Sequence, residues 1–168
     1  MEFCEHEWKE DPRVPPFIAD LARHESLCIE IGSLEGGGKP AAESALDLER
    51  GVTFIEAARI VEYAYAVHEL SESETDQSEP AARATRLFVY RSPEHEVRYL
   101  ELTPLAAAIL KRLLNAKCNL RFALEDACRE AGVALDAGVL EGTARVLSDL
   151  AERGALLGAA VASREGAS

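Results

Sequence analysis

The side chains with the widest chemical repertoire in this chain are its four histidines and four cysteines. Metal sites in one chain usually bring such ligands together at close spacing. The segment around Cys4 and His6, with Glu5 and Glu7, comes nearest to that pattern. Acidic terminal segments often have this composition without binding a metal, and no two cysteines form a Cys-x-x-Cys pair. The sequence therefore predicts no metal on this chain.

Other catalytic patterns are also absent from the sequence. The glycine-rich segment GSLEGGGKP, residues 32–40, superficially resembles a phosphate-binding loop, but its lysine precedes a proline and no Gly-Lys-Ser/Thr ending follows. Spacing favours neither a Ser/His/Asp nor a Cys/His arrangement. Cys28 and Cys128 are typical of small buried apolar side chains. We therefore expect a non-catalytic protein with no cofactor of its own.

The acidic residues are distributed unevenly along the chain. The net charge is −12, and residues 1–80 hold 19 of the 30 acidic residues but only 6 of the 18 basic ones. Binding to nucleic acid depends on neutralising phosphates with lysine and arginine, so this balance argues against a nucleic-acid partner. No apolar run approaches the roughly 20 residues that span a bilayer. The acidic N-terminus lacks a signal-peptide pattern, so we expect a cytoplasmic location and no membrane partner.

The acidic half predicts one helix and a strand. Pro15 and Pro16 suit the first turn of a helix that we expect to end near Gly32. Alternating apolar residues predict a strand over 60–67, while frequent Ala, Glu and Arg make a helix over 53–70 the competing interpretation. The stretch 71–84 is acidic and rich in serine, which predicts a solvated linker.

The neutral half predicts a hairpin followed by three helices and a short strand. TRLFVYR at 85–91 and VRYLEL at 97–102 alternate as strands do. The helices are predicted to begin after the capping residues Thr103, Asn119 and Asp136. We expect an α+β protein: a winged-helix-like domain over 85–163, preceded by a smaller helix/strand docking region over 1–70 and the linker.

The segments RLFVYRS, VRYLEL and TPLAAAILKRLL resemble, in this order, the peptide-binding domains of the PqqD type, which are known as RiPP recognition elements. The similarity covers roughly residues 85–158, although Asn115-Ala116-Lys117 replaces the usual glycine after the first helix. Such domains bind the leader segments of ribosomally made precursor peptides. PFIADLARHES and the later LELTP also resemble partner proteins of multinuclear non-haem iron oxidases, of the HvfC, BufC and TglI type.

This second resemblance implies a function. In that family a TIM-barrel subunit holds the iron, and the partner delivers a peptide residue, often a cysteine, for oxidation; the TglI type serves 3-thiaglutamate biosynthesis. The resemblance implies a heterodimer with such an iron oxidase and a leader peptide as the second partner. The leader is expected to pair with the second hairpin strand and to contact the third helix. The implied peptide-binding residues are Val97, Arg98, Tyr99, Leu100, Glu101, Arg145, Asp149 and Arg153.

The acidic half is expected to dock on the oxidase. The charge asymmetry and the PFIADLARHE similarity motivate this hypothesis, with contacts at Trp8, Phe17, Leu21 and His24. Two alternatives remain open from the sequence. Val97 and Tyr99 are expected to cover the protein's own core if they do not bind peptide. The same order of elements would also suit a winged-helix DNA-binding regulator, although the third helix lacks the excess of basic residues that a recognition helix needs.

Overall fold

The computed structural model describes residues 13–34, 47–71, 73, 75, 76, 78–116 and 118–159. Cys4, His6, Trp8 and most of the glycine-rich loop lie outside these residues. The fold is α+β, as the sequence predicted. Its helices are α1 Ile18–Ser33, α2 Pro104–Ala116, α3 Leu120–Ala131 and α4 Ala137–Glu152. Its strands are β1 Val52–Phe54, β2 Ala58–Tyr63, β3 Thr85–Arg91, β4 Val97–Glu101 and β5 Leu156–Ala159.

The three helices of the neutral half begin where the capping residues predicted. The side chains of Thr103, Asn119 and Asp136 each accept a hydrogen bond from the backbone N–H three residues further on, at 3.2, 2.8 and 2.9 Å. Each bond satisfies one of the amides that a helix start leaves without a partner. Gly132 ends α3 with a φ of 65°, a left-handed conformation that glycine adopts without steric cost.

The hairpin belongs to a three-stranded antiparallel sheet in the order β2–β3–β4, and β1 pairs with β5 in a separate two-stranded sheet. The strand predicted over 60–67 is therefore found, two residues earlier at its start, and the competing helix over 53–70 is wrong. The strand ends at Tyr63, before the predicted residue 67. The carboxylate of Asp20 accepts hydrogen bonds from the N–H groups of Ala64 and Tyr65, at 2.7 and 3.2 Å. These bonds turn the chain away from the sheet into a 3-10 turn, Val67–Glu69.

Both faces of the sheet are covered. On one face, Phe88 and Tyr90 of β3 belong to a core cluster that includes buried side chains of α2, α3 and α4. On the opposite face, Leu87 and Val89 pack in a second cluster with Ile31 of α1. Because side chains alternate between faces along a strand, a strand covered on both sides must be apolar at every position. This explains why LFVY has no polar residue.

Residues on either side of the acidic stretch 71–84 share this sheet, since β2 pairs with β3 along its whole length. The predicted regions 1–70 and 85–163 therefore contribute strands to the same sheet. The roles assigned to these regions and to the linker 71–84 stay predictions. The comparison with a winged helix also stays a prediction. Among the described helices, none is both long and apolar enough to cross a membrane.

Candidate functional site

Strand β4 forms one edge of the three-stranded sheet. In the described part of the chain it pairs with β3 alone. The N–H of Ser92 donates to the carbonyl of Glu96 at one end of this ladder, and the N–H of Leu102 donates to the carbonyl of Arg86 at the other, both at 2.8 Å. Hydrogen-bonded pairs alternate with non-bonded pairs in an antiparallel ladder. The even-numbered residues of β4 therefore bond to β3.

The odd-numbered residues of β4 direct their backbone groups the other way. Val97, Tyr99 and Glu101 consequently present their N–H and C=O groups along the outer edge of the sheet. Such a row is a template on which another extended chain can pair. The edge that the sequence analysis assigned to peptide capture is thus an edge strand, and the alternation identifies which three of its five residues offer the bonds.

The opposite edge, on β2, is partly covered by a side chain. The guanidinium of Arg59 donates to the carbonyl oxygens of Glu56 and Ala58, at 2.8 and 2.9 Å, and to the carboxylate of Glu30 on α1, at 2.9 Å. By the same alternation the carbonyl of Ala58 faces outward, because Ala57 is bonded to β3. The β2 edge is therefore less available for pairing than the β4 edge.

A groove of about 560 Å³ runs between β4 and α4. Leu100, Leu102 and Ala106 supply apolar surface on the side of the sheet and α2, and Val146 does so on the side of α4. The rest of the α4 wall is polar. It consists of Arg145, Ser148, Asp149 and Glu152. This is an apolar channel with a charged rim, placed directly beside an open strand edge.

The groove contains some of the residues that the resemblance implied for peptide binding. Leu100, Glu101, Arg145 and Asp149 line it together. Arg153 does not line the groove but donates to the carboxylate of Asp149 at 2.8 Å, and this bond raises the pKa of the guanidinium. Arg153 is therefore linked to the groove through the Asp149 carboxylate.

Val97, Arg98 and Tyr99 lie away from the groove wall. Val97 packs against the buried cluster beneath α1. This contact agrees with the alternative in which Val97 covers the protein's own core. Arg98 is exposed and pairs with Glu96. The ring of Tyr99 is 42 % exposed and sits edge-on between the imidazoles of His24 and His68, with ring centroids 5.8 and 5.7 Å away. Tyr99 is thus both a core-covering residue and an accessible one.

Of the side chains predicted to dock on the oxidase, the three that the structure describes are engaged within the protein, and Trp8 lies outside the described residues. Phe17 packs edge-on against Tyr65 at 6.3 Å between ring centroids, and Leu21 joins the same cluster. His24 is buried, its Nδ1 lies 3.3 Å from the hydroxyl of Tyr63, and burial lowers its pKa. The docking role of these residues stays a prediction, and most of their surface already serves the chain's own fold.

A charged cluster at the end of β4 was not visible in the sequence. The guanidinium of Arg83 bonds to Glu69, at 2.7 Å, and to Glu101, and the latter bond lowers the pKa of the Glu101 carboxyl. His68 lies beside them, with its Nε2 3.8 Å from Glu101. The ligand atoms of His68, Glu69 and Glu101 lie within 4.8 Å of one another, so they could hold a metal. The guanidinium of Arg83 already bonds to both carboxylates, so a cation would have to displace it.

The fold and these surfaces define a small α+β protein with a strand edge that no described strand pairs with, and an adjoining groove. The family model of the HvfC C-terminal domain matches residues 56–151, from the start of the three-stranded sheet to the end of α4. Because the match covers more than half of the chain, the protein belongs to the HvfC C-terminal domain family. Membership implies a partner protein of an oxidase, and it suggests a non-catalytic subunit. A search of curated proteins found no match.

Proposed function

We propose that this protein captures the leader of a ribosomally made precursor peptide on the outer edge of β4 and presents the peptide to an iron-dependent oxidase. The chain itself holds no cofactor in this proposal, and the iron belongs to a TIM-barrel enzyme subunit with which the chain forms a heterodimer. The residue presented is a cysteine of the peptide. The pathway is natural-product biosynthesis in the cytoplasm.

The open β4 edge is the observation that carries the proposal. Val97, Tyr99 and Glu101 direct their backbone groups outward, and among the described residues no strand covers them. A peptide added to such an edge gains main-chain hydrogen bonds whatever its sequence, while pockets for alternate side chains provide specificity. Exposed strand edges are an aggregation hazard that proteins usually protect, so an unprotected edge is favoured where another chain uses it.

The groove supplies the second requirement, which is selectivity. Side chains of an added strand point alternately to the two faces of the sheet. One set would enter the apolar channel between Leu100 and Val146, and the other would lie beside Tyr99 on the opposite face. The family match supports the oxidase part of the proposal, because membership in the family implies an oxidase partner.

The alternative of a DNA-binding regulator has no comparable support. Helix α4, which would be the recognition helix, contains Glu141, Asp149 and Glu152 but only one basic residue, Arg145. A helix of this charge would be repelled by the phosphates of a duplex.

The proposal is tested by fluorescence anisotropy with labelled synthetic leaders of candidate precursor peptides from the same genome, and with labelled duplex DNA. We expect binding to the leader and none to the duplex at low salt. Ser148→Trp places a large side chain in the groove and should weaken leader binding about tenfold or more, since each 1.4 kcal/mol lost is a factor of ten. Ala144→Trp is the matched control, because Ala144 is exposed on the same helix but does not line the groove.

Equal affinities of the two tryptophan variants would place the peptide elsewhere. Binding of the duplex with no binding of the leader would favour the regulator instead.

A further inference from the structure

The corner between α3 and α4 exposes three large apolar side chains. Val133, Leu135 and Leu140 are 45, 39 and 39 % exposed, and they fall within eight consecutive residues. We call these three residues the α3–α4 corner. Exposed apolar residues that occur singly are ordinary, whereas a group of them marks an interaction surface.

The corner is almost free of charge. Residues 131–140, AGVALDAGVL, contain a single charged side chain, Asp136, in a chain whose net charge is −12. The Asp136 carboxylate accepts a hydrogen bond from the N–H of Val139 and so caps α4. Depletion of charged residues distinguishes the centre of a protein–protein interface from ordinary surface. A partner can therefore cover this corner without removing several charges from water.

The beginning of α4 contributes little to the core of the protein. The buried side chains of this helix are Thr143, Leu147 and Leu150, all beyond its first turn. Within residues 137–142 only Val139 is even half-buried. Gly138 and Gly142 lie in the same part, and glycine has the lowest helix propensity after proline. The two N-terminal turns of α4 are thus held weakly from within, and a partner packed on them would stabilise them.

Helix α4 connects the corner to the peptide groove. Residues 145–152 of the same helix wall the groove, and at a rise of 1.5 Å per residue Leu140 lies roughly 14 Å along the axis from Asp149. An enzyme bound at the corner would therefore sit within a few peptide residues of the captured segment. On α1, by contrast, the side chains of Phe17 and Leu21 are engaged in the protein's own cluster.

We infer that the α3–α4 corner is the surface on which the oxidase subunit docks, through an apolar patch of its own. The identity of this occupant rests on the proposed function. A second copy of this chain is the less favourable occupant, because it would bring together two chains that each carry a net charge of −12.

The test is co-expression of the chain with a tagged candidate iron oxidase subunit from the same genome, followed by co-purification. The double variant Leu135→Glu/Leu140→Glu should reduce the recovered complex about tenfold or more, since a carboxylate buried without a partner in an apolar contact is costly. Leu135→Ser/Leu140→Ser should show the same loss without added charge. Ile29→Glu is the matched control: Ile29 is 73 % exposed on α1, and its replacement should leave the complex intact.

Loss of the complex in Ile29→Glu with retention in the corner variants would overturn the inference and favour docking through α1. Retention in all variants would also overturn it. A wild-type dimer, detected by light scattering and abolished by the corner variants, would identify a second copy as the occupant and overturn it as well. Leader affinity is measured in parallel. The corner variants should keep the leader affinity of the wild-type protein. A wild-type protein that binds the oxidase but no leader would refute the proposed function, while the docking surface would stay supported.

Discussion

A proline in β4 distinguishes between strand addition and any other way of binding a peptide. The N–H of Tyr99 points away from β3, so Tyr99→Pro removes a bond that only an added strand would use. Proline is tolerated in edge strands where the missing N–H faces outward. Leu100 is the neighbouring position, where the N–H bonds to β3, and Leu100→Pro should break the ladder and unfold the sheet. The structure thus predicts opposite consequences for adjacent residues.

The magnitude of the effect on binding follows from the lost bond. A net hydrogen bond contributes about 0.5–1.5 kcal/mol, and the proline ring also obstructs the approach of the peptide backbone. We expect leader affinity to fall about tenfold relative to Tyr99→Ala, which lacks the ring of tyrosine but keeps the N–H. Anisotropy titrations measure the affinities, and circular dichroism confirms that both variants stay folded. Equal affinities of Tyr99→Pro and Tyr99→Ala would refute strand addition at this edge.

Three further predictions concern how the sheet is held. Asp20→Ala leaves two backbone amides after β2 without their acceptor and should lower the free energy of unfolding by about 2–3 kcal/mol in urea titrations, whereas Glu25→Ala, exposed on the same helix, should change it little. Burial lowers the pKa of His24 below its ordinary 6.5, so the unfolded chain takes up this proton first; stability should decline as the pH falls through 6.5, and less in His24→Gln, as measured by denaturation at each pH. A Cβ at Gly154, where φ is 72°, would lie 2.8 Å from a proline ring, so Gly154→Ala should lower the melting temperature. Gly142→Ala, in open space on α4, should raise it, and the reverse order would contradict both local geometries.

The local elements of the neutral half could be predicted from the sequence. The hairpin strands are recognisable because residues 85–91 contain the short apolar run LFVY and residues 97–101 alternate apolar and polar residues. The helix starts are recognisable because capping is a contact between a side chain and an amide only three residues away, as at Asn119. The resemblance to HvfC-type partner proteins rested on PFIADLARHES in the acidic half and on LELTP in the neutral half, and the family match over residues 56–151 confirms it.

The pairing of β2 with β3 and the packing of α1 on the sheet could not be predicted from local patterns. β2 joins β3 across the acidic stretch, and α1 closes the face that carries Leu87 and Val89. Apolar and aromatic side chains such as Phe17 and Leu21 of α1 require burial, but the sequence does not reveal against what they are buried. Only the folded chain shows that its own sheet provides that partner.

The same division applies to the candidate site. The sequence determined that residues 97–101 form a strand beside a helix start, because alternation and capping act between neighbours in the chain. The fold decided that this strand lies at the edge, that its odd-numbered residues face outward, and that Arg145 and Asp149 meet Leu100 across a groove. Those relations join residues some 45 positions apart. They depend on how two core clusters pack on opposite faces of one sheet, which no local pattern in the sequence encodes.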